Sequence, residues 1–202
     1  MHIPHSFRFE DQQEKIGFLK QHSFASMITN IDGIPSATLL PFAIDDTGGI
    51  LTLRSHFSAA NEQAKHIEES ISLIIFNGPH AYISPAHYDK HESVPTWNYV
   101  TVHAFGKAKI LHDDASKKNM LEQMISSYES SYQKQWNSLP AKFITGMMKG
   151  IVAFEIEVSR LEGQKKLSQN KTAEERSRII ASLSGTGHAT EQELATYMHN
   201  LK

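Results

Sequence analysis

Three apolar runs separated by glycine-containing turns lie close together early in the chain, and they limit the folds open to it. The runs are Phe24–Thr29, Ser36–Ile44 and Ile50–Leu53. Asp32-Gly33 joins the first run to the second, and Asp45–Gly49 joins the second to the third. Short turns of this composition connect antiparallel strands, because parallel strands need a crossover of about a dozen residues or more. The sequence therefore predicts an antiparallel meander in this region.

The same pattern continues along the chain, with helices inserted between strands. Further strands are predicted at Ile71–Phe76, Ala81–Ile83, Trp97–Leu111 and Ile151–Val158. Helices are predicted at Glu10–Gln21, Ala59–Ile67, Asp113–Ser130, Thr172–Leu183 and Thr190–Asn200, with a further short helix beginning at Leu139-Pro140. Strands joined mainly as hairpins predict one closed or nearly closed antiparallel β-barrel flanked by helices.

The composition narrows the classes of function. The 202 residues include 20 Lys and Arg, 22 Asp and Glu and 12 His, and the formal net charge is −2. This balance argues against a strongly basic DNA-binding protein, although a local basic patch is not excluded. Cysteine is absent, which excludes disulfides and thiol catalysis. The chain has no run of about 20 apolar residues and no signal-peptide pattern, so we expect a cytoplasmic protein without membrane contact.

A group of polar residues at the end of the third strand is a candidate anion site. Arg54, Ser55 and His56 precede Ser58, the predicted N-cap of the helix that follows. A guanidinium, hydroxyls and the free N–H groups of a helix N-terminus can together bind a phosphate. The alternative is an ordinary capped helix with a solvated Arg54.

A histidine-rich segment is the second candidate. His80, His87, His91 and Glu92 lie in or beside a loop predicted over Ser84–Pro95. His87 and His91 are four residues apart, which would place both on one face of a helix, but the bracketing prolines favour a loop. Signatures such as His-Glu-x-x-His are absent. We therefore predict no metal site, and we interpret the segment as a polar loop beside a ligand cleft or on the surface.

Two later segments combine aromatic, amide and basic groups. Trp97 and Asn98 begin a strand, where an indole face beside an amide suits either a planar ring system or the packing of the barrel. The segment Arg160–Thr172 is rich in lysine and is interpreted either as solvated surface or as a source of polar groups for an anionic ligand. Thr172 and Glu175 match a capping box, which gives both a structural role at a helix start.

Several motifs, taken in order, resemble those of one family. They are Met1-His2-Ile3-Pro4 with Phe7, Pro41-Phe42, GPHAYISP at 78–85, VPTWNYV at 94–100 followed by His103 and Gly106, and FEIEVSRLEGQKKLSQNK at 154–171. The set resembles the PaiB-type negative transcriptional regulators, which are grouped with FMN-binding proteins. The resemblance implies an α+β fold, in which an antiparallel split β-barrel is flanked by helices, including C-terminal helices.

The resemblance also implies a domain organisation. It covers residues 1 to about 184, which predicts a single split-barrel domain at 1–184 and a C-terminal helical tail at 185–202. The chain departs from the family at 60–65, where Ala-Asn-Glu-Gln-Ala-Lys stands in place of an Asn-Pro-Gln-Trp-like run. Losing the aromatic residue there affects the detail of the pocket and not the fold.

For the site, the resemblance implies FMN bound at a homodimer interface, with the ring along barrel strands and the phosphate near a strand-to-helix turn. Matched by motif, the residues are Arg54, Ser55, His56, Ser58 and Asn61 for the phosphate; Thr38, Leu39 and Leu40 along the ring; His80, Ser84, Trp97 and Asn98 from the central motifs; and Lys166, Ser168 and Gln169 from the late basic segment. We expect this basic segment to lie beside the ligand cleft rather than to bind DNA, because Glu162, Glu174 and Glu175 dilute its charge.

Two functions follow from the resemblance. The first is a negative transcriptional regulator that senses a ligand or a redox state. No helix-turn-helix is recognisable and the charge does not support direct DNA binding, so repression would act through a partner or a metabolite. The alternative is an FMN-dependent oxidoreductase of the pyridoxamine-phosphate-oxidase-like group, in which FMN carries the hydride chemistry. No catalytic residue can be named from the sequence. Haem binding is a third hypothesis, which draws on the histidine count and on relatives of the same barrel.

Overall fold

The computed structural model describes residues 1–201, which form a seven-stranded antiparallel sheet with helices. The strands are β1 Phe24–Ile31, β2 Ile34–Pro41, β3 Ala43–Asp45, β4 Thr52–Ser58, β5 Ile71–Ile83, β6 Thr96–Ile110 and β7 Ile151–Lys166. The helices are α1 Gln12–Gln21, α2 Asp114–Tyr128, α3 Gln133–Ser138, α4 Ala141–Met148, α5 Ala173–Ser184 and α6 Ala189–His199. The strand order is β2-β1-β5-β6-β7-β4-β3.

The first hairpin forms as its turn residues predict. Strands β1 and β2 pair in an antiparallel register that sets Met27 opposite Thr38. Asp32 and Gly33 both have positive φ, of 51° and 84°, which is the conformation that a two-residue hairpin turn needs. The Gly33 N–H donates to Asn30 Oδ1 at 2.7 Å and closes the turn.

The predicted three-stranded meander is wrong, because the second apolar run divides into two strands. Strand β2 ends at Pro41, which has no N–H for a further ladder bond. Phe42 is fully buried, and its N–H donates to the Ser23 carbonyl at 2.9 Å. The chain then enters β3, which pairs with β4 at the opposite end of the strand order from β2. The break at Phe42 therefore sends the two hairpins to different ends of the sheet.

The predicted helix at Ala59–Ile67 is also wrong. Strand β4 continues through Ser58, so this residue is not a helix N-cap. Only a 3-10 turn follows, at Glu62–Lys65, and Asn61 caps it by accepting the Gln63 N–H at 2.9 Å. An Asn side chain that satisfies its own local backbone favours a turn over a helix.

Two strands are longer than predicted. Strand β5 runs without interruption through Asn77-Gly78-Pro79, where the sequence suggested a break between two runs. Strand β7 extends beyond its predicted end at Val158 to Lys166, so it includes the first half of the late basic segment. The predictions for the long strand β6 and for helices α1, α2, α5 and α6 are confirmed within one or two residues at most ends. The Thr172–Glu175 capping box is confirmed as well.

The described chain divides into two compact units. One comprises 16–76 and 103–161, and its core is built on four fully buried rings, Phe42, Phe57, Phe76 and Phe154. Phe57 and Phe154 stack with ring centroids 5.1 Å apart. The other comprises 1–15, 77–102 and the chain from 162 onward, and its core includes Ile83, Val100, Leu167, Ile179 and Leu194. The predicted boundary at residue 184 stays a prediction.

Candidate functional site

The candidate residues of β4 alternate between the two faces of the strand. Ser55 is fully buried and its hydroxyl donates to the Pro41 carbonyl at 2.6 Å, so it is used within the fold. Arg54 and His56 lie on the other face, because successive strand residues point in opposite directions. Both lie within β4 and not at a strand-to-helix junction, since no helix follows.

Arg54 is held by two carboxylates. Its Nη1 lies 2.8 Å from Asp45 Oδ2, and its Nε lies 3.4 Å from Glu155 Oε2. Hydrogen bonds from the Thr47 hydroxyl and from Arg54 lower the pKa of Asp45 to about 2, with the Thr47 bond as the larger cause. The guanidinium is therefore neutralised within the fold. The phosphate-binding role of Arg54 stays a prediction, and a phosphate would have to compete with both acids.

His56 has a buried polar atom without a partner. Its Nδ1 is inaccessible to solvent and makes no hydrogen bond with any residue that the structure describes. Burial lowers the pKa of His56, because the charged imidazolium is disfavoured away from water. The ring is accordingly neutral at pH 7.

A polar cluster brings together two residues that the sequence placed in different parts of the site. Asn61 Nδ2 donates to Thr38 Oγ1 at 3.0 Å, and Thr38 Oγ1 donates to Gln63 Oε1 at 2.7 Å. Gln63 is 1 % exposed, and its Nε2 also donates to the Met27 carbonyl and the Thr29 hydroxyl, each at 3.0 Å. Sequence reasoning missed Gln63. The sequence did contain a signal for a capped turn rather than a helix face. Asn61 lies two residues before Gln63, a spacing at which an Asn side chain can accept the backbone N–H.

The remaining candidate residues of this unit differ in their exposure to solvent. Leu40 is buried, whereas Leu39 on the same strand is 59 % exposed. Ser58 lies at the exposed end of β4, and its hydroxyl accepts the Ala60 N–H at 3.4 Å. Leu39 therefore offers an apolar surface, while Leu40 belongs to the core.

In the other unit, Asn98 and Ser168 form a buried pair. Asn98 is fully buried, and its amide donates to Ser168 Oγ at 2.9 Å. Ser168 has φ 60°, a conformation in which non-glycine residues are uncommon. Because the pair satisfies itself inside the fold, it positions the backbone beside Lys166 and Gln169. Direct contact of either side chain with a cofactor stays a prediction.

An exposed aromatic group lies on β5 and β6 of this unit. Trp97 and Tyr82 are 54 % and 52 % exposed, and their rings meet edge to face with centroids 6.2 Å apart. His80 lies 6.2 Å from the Trp97 ring on a tilted plane. Tyr82 was not among the predicted residues, although the alternation His80, Tyr82, Ser84 along a strand could have indicated it. Ser84 itself caps a turn by accepting the Ala86 N–H at 3.2 Å.

The two neighbouring lysines at the end of β7 differ in their partners. Lys165 is 8 % exposed, forms an ion pair with Glu14 and lies 3.9 Å from the centre of the Phe9 ring. Lys166 donates to the Thr96 hydroxyl, and burial lowers its pKa. Among the described residues, no acidic side chain forms an ion pair with Lys166.

The side chain of Gln169 forms hydrogen bonds with nearby backbone groups. Its Oε1 accepts the Leu167 N–H at 2.7 Å, and its Nε2 donates to the Lys165 carbonyl at 2.5 Å. These bonds fix the turn that follows β7.

The histidine-rich loop is fastened to helix α5. Arg178 binds the His87 carbonyl at 2.9 Å and the Asp89 carboxylate at 2.6 Å, and the Asp89 N–H donates to Glu175 at 2.9 Å. In the part of the chain that the structure describes, no three His, Asp or Glu side chains are grouped as metal ligands would be. The loop is therefore held by hydrogen bonds and one ion pair.

The antiparallel sheet, the short hairpins and the flanking helices together define a protein of the split β-barrel class. Residues 1–160 match the family model described as "Putative FMN-binding domain", and the chain belongs to this family. This confirms the resemblance to the PaiB-type proteins found from the sequence motifs.

Two relatives show how far the similarity extends. The chain is 33 % identical over 204 residues to a Bacillus subtilis protein named "Protease synthase and sporulation protein PAI 2", covering 99 % of this chain and 97 % of the relative. It is 29 % identical over 187 residues to the uncharacterised protein AN0679 of Emericella nidulans, covering 73 % of this chain and 74 % of that protein. The Bacillus similarity therefore includes the C-terminal helices.

Solved structures support the fold. The flavocytochrome Anf3 of Azotobacter vinelandii matches with a TM-score of 0.66 at 16 % identity, covering 81 % of this chain and 72 % of that one. An FAD and heme binding protein of Mycobacterium smegmatis matches with a TM-score of 0.63 at 13 % identity, covering 83 % and 77 % of the two chains. The predicted split-barrel fold is confirmed. Across residues 1–201, the helices are too short or too polar to cross a membrane.

Proposed function

We propose that the protein binds FMN and acts as a negative transcriptional regulator of the PaiB type, sensing a ligand or a redox state. The observation that carries the proposal is the 33 % identity to the Bacillus subtilis protein over 99 % of the chain. The name of that relative links it to protease synthesis and sporulation. A similarity of this extent leaves no large part of the relative without a counterpart in this chain.

The candidate side chains differ in how well they could contact a flavin. The Trp97 and Tyr82 rings are exposed and can contact a planar ring system, and Thr38 and Asn61 offer a hydroxyl and an amide. Lys166 has no acidic partner among the described residues and can pair with a phosphate. Arg54 suits the phosphate less well, because Asp45 and Glu155 already occupy its guanidinium.

A bound flavin would supply reversible electron or hydride transfer, which the side chains of this protein cannot perform alone. The side chains would bind and orient it. Thr38 is fixed in place by Gln63, and Lys166 is oriented by the Thr96 hydroxyl. Within its own unit, each of these side chains is already held in place, so that less entropy would be lost when it contacts a ligand.

The first test is the absorption spectrum of the purified protein, followed by titration with FMN. We expect flavin absorption and saturable binding. Lys166→Gln should weaken FMN binding by about 10- to 150-fold, because a charge-assisted hydrogen bond is worth about 1.5–3 kcal/mol. Lys90→Gln makes the same charge change on the histidine-rich loop of the same unit and should leave the affinity unchanged. A protein with no FMN affinity at all would overturn the cofactor proposal.

Experiments on the FMN-loaded protein also distinguish the transcriptional regulator from the alternative, an FMN-dependent oxidoreductase. If the protein regulates transcription indirectly, we expect it to retain DNA only weakly. The Lys165→Gln and Lys166→Gln substitutions should then leave this DNA retention nearly unchanged. A steep loss of DNA binding, with the log–log salt slope reduced by about 2, would mean that the lysines contact phosphates directly. NAD(P)H oxidation by the loaded protein, without any effect on transcription, would instead support the FMN-dependent oxidoreductase.

We further propose that the protein is a homodimer. Phe24 on β1, Leu39 on β2 and Ile71 on β5 are 61 %, 59 % and 63 % exposed. The registers set Ser26 opposite both Leu39 and Ile75, which places all three side chains on one face of the sheet. An exposed apolar sheet face beside an end strand is a surface that proteins usually cover.

The dimer is tested by light scattering at micromolar concentration. We expect a dimer for the unmodified protein and a folded monomer for Phe24→Glu. Ile34→Glu is the matched control, since Ile34 is 71 % exposed but belongs to the opposite face of β2. A stable monomer of the unmodified protein would contradict the dimer proposal.

A further inference from the structure

Helix α4 carries apolar side chains on two opposite sides, although only one side packs within its unit. Ile144 and Met148 are 8 % and 3 % exposed, and both line the cavity that α4 shares with α2. On the other side, Phe143 and Met147 are 53 % and 60 % exposed. A helix that is apolar all round is normally buried all round. The outer side of α4 is therefore an apolar surface that residues 1–201 leave uncovered.

Gly146 leaves a gap in this outer side. A Cβ added at Gly146 would have nothing within 4 Å, so no contact within the described chain requires a glycine there. Glycine inside a helix is destabilising relative to alanine, because it loses more conformational freedom on folding. A gap one turn from Phe143 would instead let the backbone of a partner approach closely.

Two lysines border the exposed apolar pair. Lys142 lies one turn before Gly146, and Lys149, which directly follows α4 and keeps a helical backbone, lies about one turn after it. The two ammonium groups therefore lie along one edge of the outer side. Both lysines are exposed, and neither forms an ion pair within residues 1–201.

No neighbouring acid in the sequence offsets this charge. The chain between Glu129 and Glu155 contains no Asp or Glu. The same stretch contains three lysines, Lys134, Lys142 and Lys149. Of the two acids within α2, Asp114 lines the cavity on the inner side of α4, and Glu122 forms an ion pair with Lys118. The outer side of α4 is therefore positively charged, in a chain whose formal net charge is −2.

We propose that the α4 face, defined by Lys142, Phe143, Gly146, Met147 and Lys149, docks an acidic amphipathic helix of a partner protein. Apolar side chains of the partner would cover Phe143 and Met147, and its carboxylates would pair with the two lysines. Phenylalanine and methionine are enriched in the cores of protein interfaces, whereas charged groups lie at the rim, which is the arrangement of this face. The proposal depends neither on flavin binding nor on a regulatory role.

The charge of the α4 face disfavours two other occupants. In a two-fold dimer built on this face the same patch would meet itself, so the lysines of one copy would face those of the other. Binding to an anionic membrane usually takes a cluster of about 4–8 Lys or Arg or a lipid anchor. The α4 face offers only Lys142 and Lys149.

The test uses a synthetic acidic peptide built from repeats of Leu-Glu-Glu-Leu-Leu-Glu-Glu, and a basic version in which Lys replaces every Glu. Binding is followed by the methyl signals of ¹³C-labelled methionine, and Met147→Leu assigns the signal of Met147. We expect the acidic peptide to move the Met147 signal saturably and the basic peptide to leave it unchanged. The signal of the fully buried Met27 is the internal reference.

One substitution tests the apolar part of the face. Phe143→Ser should weaken binding of the acidic peptide by about fivefold or more, the loss that marks an interface residue with a measurable contribution. The melting temperature should stay unchanged, because the Phe143 side chain is already exposed. Ile50→Ser is the matched control, since Ile50 is 56 % exposed in the same unit but lies in the loop before β4. It should leave the affinity unchanged.

A double substitution tests the charge. Lys142→Gln combined with Lys149→Gln should weaken binding of the acidic peptide by about two- to thirtyfold, the combined range for two solvent-exposed ion pairs. The effect should shrink at high salt, where exposed charges are screened. Lys107→Gln combined with Lys109→Gln makes the same charge change at two exposed positions of β6 and should alter the affinity by less than about twofold.

Four other outcomes would overturn the proposal. If the acidic peptide does not move the Met147 signal, or the basic peptide binds equally well, the face does not select an acidic segment. If dilution of the protein alone moves the signal, a second copy covers the face. If vesicles of phosphatidylserine and phosphatidylcholine, or a short DNA duplex, move the signal and the peptide does not, the partner is a lipid surface or a nucleic acid. Because none of these measurements uses FMN, failure here leaves the proposed flavin binding untouched.

Discussion

Replacing Arg54 by Gln separates a structural role from phosphate binding at a residue that the family resemblance assigns to the phosphate. The side chain is 19 % exposed and contacts Asp45 at 2.8 Å and Glu155 at 3.4 Å. Removing the guanidinium leaves Glu155 with Lys109, whose Nζ lies 3.8 Å away, and leaves Asp45 with its hydrogen bonds from Thr47 but no cation. We therefore expect the substitution to lower the stability of the fold.

The expected magnitude follows from the burial of the pairs. Exposed ion pairs are worth about 0.2–1 kcal/mol each, and these two lie toward the upper end because Arg54 is mostly shielded from water. The total loss should be about 1–2 kcal/mol, which corresponds to a fall of about 2–8 °C in Tm for a chain of this size. The pKa of Asp45 should also rise from about 2 toward its usual value, since Arg54 is one of the causes that lower it.

Urea unfolding and thermal unfolding measure the loss, and an FMN titration of the same variant measures the cofactor role. Lys109→Gln is the matched control, because it removes a positive charge beside the same Glu155 from a side chain that is 74 % exposed. The control should change the free energy of unfolding by less than about 0.5 kcal/mol.

The structural interpretation predicts that FMN affinity changes little in the Arg54→Gln variant. Unchanged stability together with a loss of FMN affinity of about tenfold or more would refute it. Arg54 would then release its acids to bind the phosphate, as the family resemblance implies.

Three further predictions concern particular side chains. Gly106→Ala should lower the free energy of unfolding, measured in urea, by about 1–3 kcal/mol or more, because its Cβ would lie 2.3 Å from the Glu157 carbonyl oxygen. Gly146→Ala, where the added Cβ has nothing within 4 Å, should instead raise it by about 0.5–1 kcal/mol. Burial lowers the pKa of His56 in the folded state only, so stability should fall as pH decreases below about 6.5, and pH-dependent unfolding of His56→Phe should show a smaller decline. Asn98→Ala should lower the free energy of unfolding by about 1–3 kcal/mol, since it leaves the buried Ser168 hydroxyl without its partner; an unchanged Tm would show that the pair is not structural.

The strands and most helices could be predicted from the sequence because local patterns determine them. Alternation of apolar residues identifies β6, and the Asp32-Gly33 turn identifies the first hairpin. The Thr172–Glu175 capping box specifies where α5 begins, since both of its bonds lie within four residues. The ordered family motifs identified the fold class.

The segment after β4 could not be predicted in this way. Its apolar spacing fits a helix, but Asn61 satisfies the local backbone and Gln63 reaches the carbonyl of Met27 and the hydroxyl of Thr29. These partners lie more than thirty residues away in the chain. Tertiary hydrogen bonds therefore replaced the helix, and with it the helix N-terminus on which the predicted anion site partly depended.

By itself, the sequence determined the strand and hairpin pattern, the capped helices and, through its motifs, the family. Only the tertiary structure decided which polar side chains are free. It paired Arg54 with Asp45 and Glu155, Lys165 with Glu14 and Asn98 with Ser168, while Lys166 was left without an acid among the described residues. The physical reason is that the charge of a side chain is encoded locally, whereas its neutralisation depends on partners that only the packed chain brings within hydrogen-bonding distance.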